Sequence, residues 1–310
     1  MYLDLARALG ELNRNPELRV ALLHGEGKHF TSGVELDKWA PIFGNGKGFE
    51  VPAGEVDPFG LFGERHRKPI VMAVQGNCFT WGVEIMLNTE VRVAADDTRF
   101  AMLEVKRGIF PCGGATLRLP KQMGWGAAQR YLLTGEFWYA EEALRTGLVQ
   151  EVVPAGQQLA KAREIAEQIA KAAPLGVQNV LKSTRLAWNE GEAEAARHLF
   201  VDMLPVMQSE DAREGVMSFI ERGRTNLRTR PGIRLISVVS NSEISDLTWV
   251  IWRAHGVSPD RLSSDRTPRI ASCTFLSNAA TAMLRPLLRS AVSSCTSRSI
   301  SAITMVTASE

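Results

Sequence analysis

Cysteine is scarce in this chain. There are four in 310 residues, at positions 78, 112, 273 and 295, and no pair has metal-ligand spacing. That count does not make a disulfide scaffold, so a reducing compartment, the cytoplasm, is the expected location. Long apolar runs are lacking as well. None reaches the roughly 20 residues of a membrane-spanning helix. The opening MYLDLARALGELNRN has no basic leader ahead of an apolar run, so no secretory signal is expected. Histidine is sparse; His24 and His29 stand five apart without a third ligand of clear placement, which argues against a metal site. Lysine is missing altogether after Lys182.

The charge has no uniform sign. Residues 1–223 carry 25 Lys plus Arg against 29 acidic residues, a balance of −4. Residues 224–310 carry 11 Arg against 5 acidic residues, a balance of +6. The formal charge of +2 therefore belongs to the tail. The body shows no basic stripe interleaved with aromatics, so a nucleic-acid partner is not expected.

What is present suits a globular protein with ample core. Apolar residues make up 45% and charged residues 23%, and the length allows one large domain or two smaller ones. Residues 2–13 place Leu3, Leu5, Leu9 and Leu12 at amphipathic-helix spacing, ended by Asn15-Pro16. LRVALL (18–23) reads as a short apolar strand, followed by the loop HGEGKHFTSG. Residues 37–66 are irregular by composition but rich in Trp39, Phe43, Phe49, Phe59, Leu61 and Phe62. A loop so apolar is expected to wrap a pocket or to mix loop and helical turns rather than swing free. IVMAVQG after Pro69 is a buried strand by its continuous apolar run, VEIMLNT a helix, VRVAA a strand, and Arg99 to Met102 a short extended piece.

Beyond PCGG, a helix starts near Gly114, breaks near Gly124 and resumes to Leu133. AEEALRTGLVQEVVP reads as helix, glycine turn and strand. Residues 156–172 and 174–188 are helices, the second with a first-turn Pro174, and 191–222 holds one or two more with Pro205 as a break. Strand–turn–helix repetition followed by helices predicts an α/β domain with mainly parallel strands. The division expected is 1–155 as the α/β core, 156–223 as a helical region, and 224–310 as an atypical tail. That tail holds 16 serines in 87 residues without sustained periodicity, and disorder or weak order is expected of it.

Two loops attract chemistry. KHFTSGVEL (28–36) and GNCFTWGVE (76–84) each follow a strand, and the second opens a helix. Ligands bind at strand C-termini in α/β folds. One backbone N–H from each loop, with the helix dipole added, is the physical recipe for an oxyanion hole; spacing alone leaves such turns open to a purely structural reading. Glu84 and Glu104 both sit in apolar surroundings. Glu84 also suits a helix N-terminal carboxylate, and Glu104 an exposed residue paired with Lys106 or Arg107. Cys112 is a small packing or pocket residue, since no local histidine activates it. Asp96-Asp97 suit a stabilised turn.

Three blocks, ALLHGEGKHFTSGVEL, KPIVMAVQGNCFTWGVEIMLNTEVRVAADDTRFAMLEVKRGIFPCGGATLRLPKQMG and LLTGEFWYAEEALRTGLVQEVVP, resemble in order and separation the crotonase, or enoyl-CoA hydratase/isomerase, superfamily. The resemblance covers roughly residues 1–222. It implies a ClpP/crotonase spiral of ββα units with a helical C-terminal trimerisation region. The family's two oxyanion amides fall on Val34, after Ser32-Gly33, and on Trp81, before Gly82. Its glycine run is here Thr80-Trp81-Gly82, which leaves the Trp81 ring to be accommodated. The two catalytic glutamates of the hydratase branch fall on Glu84, as activator of water, and Glu104, as main proton donor.

Gly108 matches the turn after the second glutamate, and Cys112 stands where a glycine is usual. Coenzyme A, which is part of the substrate and not a cofactor, is implied near Lys28, His29 and Phe30 with Gly33 and Gly82. Phe219 matches a helical position that approaches the nucleotide of a neighbouring subunit. The implied activity is hydration of an enoyl-CoA by a homotrimer or hexamer. The alternatives are an isomerase or another acyl-CoA enzyme of the fold, or a weakly active acyl-CoA-binding paralogue. Two departures stand out. The chain starts at the helix that normally follows the family's first strands, and the family offers nothing for the tail.

Overall fold

The computed structural model describes residues 1–44, 46, 48–220, 233–241 and 300–308. The chain opens with α1 (Tyr2–Arg14), then β1 (Leu18–Gly25) and α2 (Leu36–Phe43). Next come β2 (Ile70–Val74), β3 (Asn77–Phe79) and α3 (Trp81–Met86). They are followed by β4 (Val91–Ala95), β5 (Arg99–Ala101) and a 3₁₀ turn, Glu104–Arg107. The helices α4 (Ala115–Met123) and α5 (Trp125–Thr134) precede β6 (Phe137–Tyr139), α6 (Ala140–Arg145) and β7 (Glu151–Val153). The helical region is α7 (Gln158–Lys171), α8 (Pro174–Glu190), α9 (Glu192–Met207) and α10 (Glu210–Ile220). Two tail strands, β8 (Ile233–Asn241) and β9 (Ile300–Ala308), complete the order.

Two sheets result. The larger runs β7-β4-β2-β1-β9-β8 and the smaller β3-β5-β6. Each turn of the chain gives one strand to each sheet: β2 then β3 before α3, β4 then β5 before α4. This is the ββα spiral. The pairs β1–β2, β2–β4, β4–β7 and β3–β5 are parallel. The first turn has only a single bridge in the small sheet, Thr31 with Cys78.

The apolar runs of β1, β2 and β4 are explained by burial on both faces. Val20, Leu22, Val71, Ala73 and Val93 turn one way, onto Ala162, Ala166 and Ala170 of α7. These alanines recur every fourth residue, so one small-residue stripe lets the helix approach the sheet closely. The alternate residues Ala21, Leu23, Met72, Val74 and Ala94 turn inward to the main core. Asp96 accepts from the Ala155 amide at 3.0 Å and Asp97 from that of Gly76 at 3.3 Å. The pair thus ties its turn to two distant segments, where a role within the turn itself was expected.

The helical turns allowed for in 37–66 are those of α2, whose bounds composition does not give, since it has no fully buried residue and carries Pro41. The structure departs from the sequence reading in three places. The three-residue strands β3 and β6 are too short to show a period. Pro205 does not break its helix, because it falls in the last turn of α9, where the missing N–H costs little further pairing. In the tail, β9 pairs antiparallel with β1 and β8 with β9, in stretches rich in β-branched residues. The expectation of weak order for the rest of 224–310 lies outside the described residues. Among the described residues, no helix is long and apolar enough to cross a membrane.

Candidate active site

The two loops singled out by composition lie side by side, and backbone pairing holds them there. Thr31 N–H donates to Asn77 O at 2.9 Å and Phe79 N–H to Thr31 O at 3.1 Å. Glycines make the approach possible. A Cβ on Gly82 would stand 2.6 Å from Thr31 Cγ2 and 3.0 Å from Cys78 Sγ. One on Gly33, at φ +111°, would press into Thr80 Oγ1. The position after Gly33 is Val34 and the one before Gly82 is Trp81, so the interlock brings these two amides to one wall. Trp81 opens α3, where an N–H has no intrahelical acceptor. Neither amide donates to another described residue.

Glu84 lies in the first turn of α3 with 1% of its surface exposed. Its carboxyl does not serve its own helix. Oε1 accepts from Gly113 N–H at 2.7 Å and Ala115 N–H at 3.2 Å, at the N-terminus of α4. Oε2 is buried without a partner. Glu104 begins the 3₁₀ turn with 8% exposed, and its Oε2 is likewise buried and unpartnered. It is not the exposed, ion-paired residue of the alternative reading. Burial pushes the Glu84 carboxyl up to about 8, with the Glu104 charge adding to the rise and the amides of Ala115 and Gly113 opposing it. Burial raises Glu104 to about 7. Near neutral pH the two therefore hold about one proton between them.

Both glutamates face a cavity of about 720 Å³, which Val34 and Trp81 also line. Ser32, Thr80, Arg107, Gly108 and Cys112 add polar groups or backbone to its wall. Cys112 is a free, exposed cysteine at this wall. The Trp81 ring is accommodated by packing into an aromatic cluster. Its centroid lies 4.6 Å from that of Trp39, 5.1 Å from Phe59 and 5.5 Å from Phe49. Tyr2 of α1 joins at 6.0 Å. The loop rich in aromatics thus wraps the pocket, and the tryptophan in the usual glycine run is its anchor.

Of the residues expected at the site, Glu84, Glu104, Val34, Trp81, Gly108 and Cys112 line the one cavity. Gly33 and Gly82 lie behind it, in the interlock. Lys28, His29, Phe30 and Phe219 do not line it. His29 Nδ1 accepts from Asn77 N–H at 3.1 Å, tying the loops together, and Phe30 is a core residue. Lys28 is exposed and so is Phe219, on α10.

Sequence reasoning missed Gly113 and Ala115, whose amides hold Glu84. The signal was a Gly-Gly pair opening a helix, where free N–H groups gather. It also missed Asp57. This buried residue accepts from the amides of Phe59, Leu61 and Phe62 at 2.9, 2.8 and 3.1 Å and from Tyr2 OH at 3.1 Å. Thr80 was the third omission; it is the only non-glycine with positive φ, 49°, among the described residues.

The family profile described as enoyl-CoA hydratase/isomerase matches residues 1–230. The enoyl-CoA hydratase EchA19 of Mycobacterium tuberculosis is 34% identical over 229 residues, covering 73% of this chain and 85% of that protein. The carnitinyl-CoA dehydratase of Escherichia coli is 36% identical over 217 residues, 67% of this chain and 80% of its own. Among solved structures, a probable enoyl-CoA hydratase/isomerase from Mycobacterium abscessus superposes with a TM-score of 0.70 at 42% identity. The superposition covers 73% of this chain and 86% of that one. With the ββα spiral, the two interlocked loops and these matches together, the chain belongs to the enoyl-CoA hydratase/isomerase family of the crotonase superfamily and is an enzyme of that family.

Proposed function

We propose that this enzyme is an enoyl-CoA hydratase-like lyase, adding water across the 2,3 double bond of an enoyl-CoA thioester. One observation carries the reading: two buried carboxyls, each with an unpartnered oxygen, face the same cavity as two backbone amides without acceptors. The thioester oxygen accepts from Val34 N–H and Trp81 N–H. Those donors matter most when charge collects on that oxygen, which is where catalysis needs them. Water sits between Glu84 and Glu104. The ionised member takes its proton as the water oxygen bonds to the β-carbon, and the π electrons move to the thioester oxygen. As the enolate collapses, the protonated member delivers its proton to the α-carbon. Hydration needs one proton removed and one supplied, and a pair sharing one proton is set for both.

Three further readings belong here. The chain divides into a core, 1–155, and a helical region, 156–223, whose exposed apolar residues suit assembly into a homotrimer or hexamer. Phe219 contributes to the coenzyme A site of a neighbouring copy. The location is cytoplasmic, supported by the free thiols of Cys78 and Cys112 and by no described helix being fit to span a membrane.

The test is loss of the enoyl chromophore's ultraviolet absorbance with crotonyl-CoA and with longer enoyl-CoAs. Glu84→Gln and Glu104→Gln are each expected to lower kcat by about 10²–10⁴-fold while circular dichroism is unchanged. Full activity in both variants would sink the mechanism.

A further inference from the structure

Behind the glutamates, the cavity wall is built for something greasy. Leu36, Ile42 and Phe43 on α2 face it from one side, and Leu103, Ile109 and Phe110 from the other. Phe49 and Phe62 close the end. Phe62 and Phe110 keep 45% and 68% of their surface exposed, and α2 buries none of its residues fully. Large apolar side chains left open around a cavity mark a surface awaiting a ligand. This wall is also held in place. Asp57 gathers the amides of Phe59, Leu61 and Phe62, and Arg118 donates to the carbonyls of Phe59 and Gly60. A rigid wall sets a size rather than adapting to one.

Resting on the acyl-CoA reading of this site, we infer that the acyl group it takes is a bulky uncharged hydrocarbon, medium-chain or ring-bearing, and not a four-carbon one. Four carbons occupy about the space of four waters, at roughly 30 Å³ each. In a cavity of about 720 Å³ they would leave most of the aromatic wall wet even with the thioester seated. Charge is disfavoured because the wall is mostly large apolar side chains, and a charged tail laid against them would lose its hydration at a cost.

Binding and turnover test this separately. Calorimetric titration of the full chain with saturated acyl-CoAs of four to twelve carbons should show Kd falling with length. The fall expected is roughly fourfold per methylene, the equivalent of about 0.8 kcal/mol per buried methylene. Enoyl-CoAs of the same lengths, and one with a phenyl ring, should show kcat/KM rising in step. Phe62→Ala and Phe110→Ala, both at open positions, should cost the longer and ring-bearing esters tenfold or more relative to the four-carbon ester. Affinity that is flat or falls beyond four carbons overturns the inference. So does tighter binding of an acyl tail carrying a quaternary ammonium or a carboxylate, or no acyl-CoA binding at all. Length-dependent binding without hydration of any enoyl-CoA would instead overturn the lyase reading and leave this one standing.

Discussion

Glu84 and Glu104 occupy surroundings that resist their ionisation, and this couples function to stability. For Glu84 the sign runs against the usual acidic residue. Its folded pKa, about 8, lies above the ordinary value of 4.5. Between those values the folded state holds a proton that the unfolded state has released, so its contribution is fully present below about pH 4.5 and lost as pH rises towards 8. Wild-type stability should therefore fall across that window, by on the order of 3 kcal/mol for so buried a group. Glu84→Gln should remove its own share of the slope and leave that of Glu104, which burial also raises, to about 7. The substituted side chain's amide oxygen can still accept from Gly113 and Ala115, and the variant should be more stable than wild type at pH 8 while losing activity. Urea unfolding at pH 5, 6.5 and 8 checks it. A slope unchanged by the substitution would mean the carboxyl ionises freely. Activity should follow a narrow bell, because only the singly protonated pair serves both proton transfers.

At the scale of elements, the site depends on two loops that touch through glycines. Gly33 sits at φ +111° against Thr80, itself at φ 49° with a buried Oγ1 that has no partner among the described residues. A β-branched residue in that region is strained. Gly33→Ala should cost about 1–3 kcal/mol from forced φ and contact with Thr80. It should lower kcat/KM as well, because the adjacent Val34 amide moves with it. Thr80→Gly relieves both the strain and the contact, so the double variant should recover part of the loss. Strictly additive effects in that cycle would show that the two positions do not press on each other. Much of this scale was legible in the sequence. LRVALL, IVMAV and VRVAA announced β1, β2 and β4 because strands buried on both faces need unbroken apolar runs. Gly124 announced the break between α4 and α5. The bounds of α2, and the strands β3 and β6, were not legible, since three residues carry no period and α2 spends its apolar side chains on a cavity rather than the core. The two glutamates became a pair through the family's motif. The amides that hold Glu84, at Gly113 and Ala115 ahead of and opening α4, lie 29 and 31 positions along the chain, a proximity only the fold creates.

On the scale of the whole molecule, the helical region is unfinished as a monomer. Only Ala195 of α9 is fully buried, although the helix is apolar along Phe200, Met203, Leu204 and Met207, all exposed. Phe200 keeps 88% of its surface open and Phe219 on α10 keeps 83%. Residues spaced three and four apart share one helix face, and an apolar stripe of this length in water calls for a partner. The α8–α9 pairing, clipped by Lys182 to Asp202 at 2.7 Å, leaves that stripe outward. Copies of the chain should therefore close on one another through it, and the trimer or hexamer implied by the family resemblance is the assembly proposed. Sedimentation equilibrium should give three or six times the 34.1 kDa of one chain. Phe200→Asp places a charge in the middle of the stripe, where burying it unpaired is costly, and should shift the mass to that of a single chain at micromolar concentration. Phe219→Ala separates assembly from substrate contact. If Phe219 reaches a neighbour's coenzyme A, the trimer persists while KM rises several-fold at nearly constant kcat. A wild-type mass of one chain would remove the basis for assembly and for that contact together.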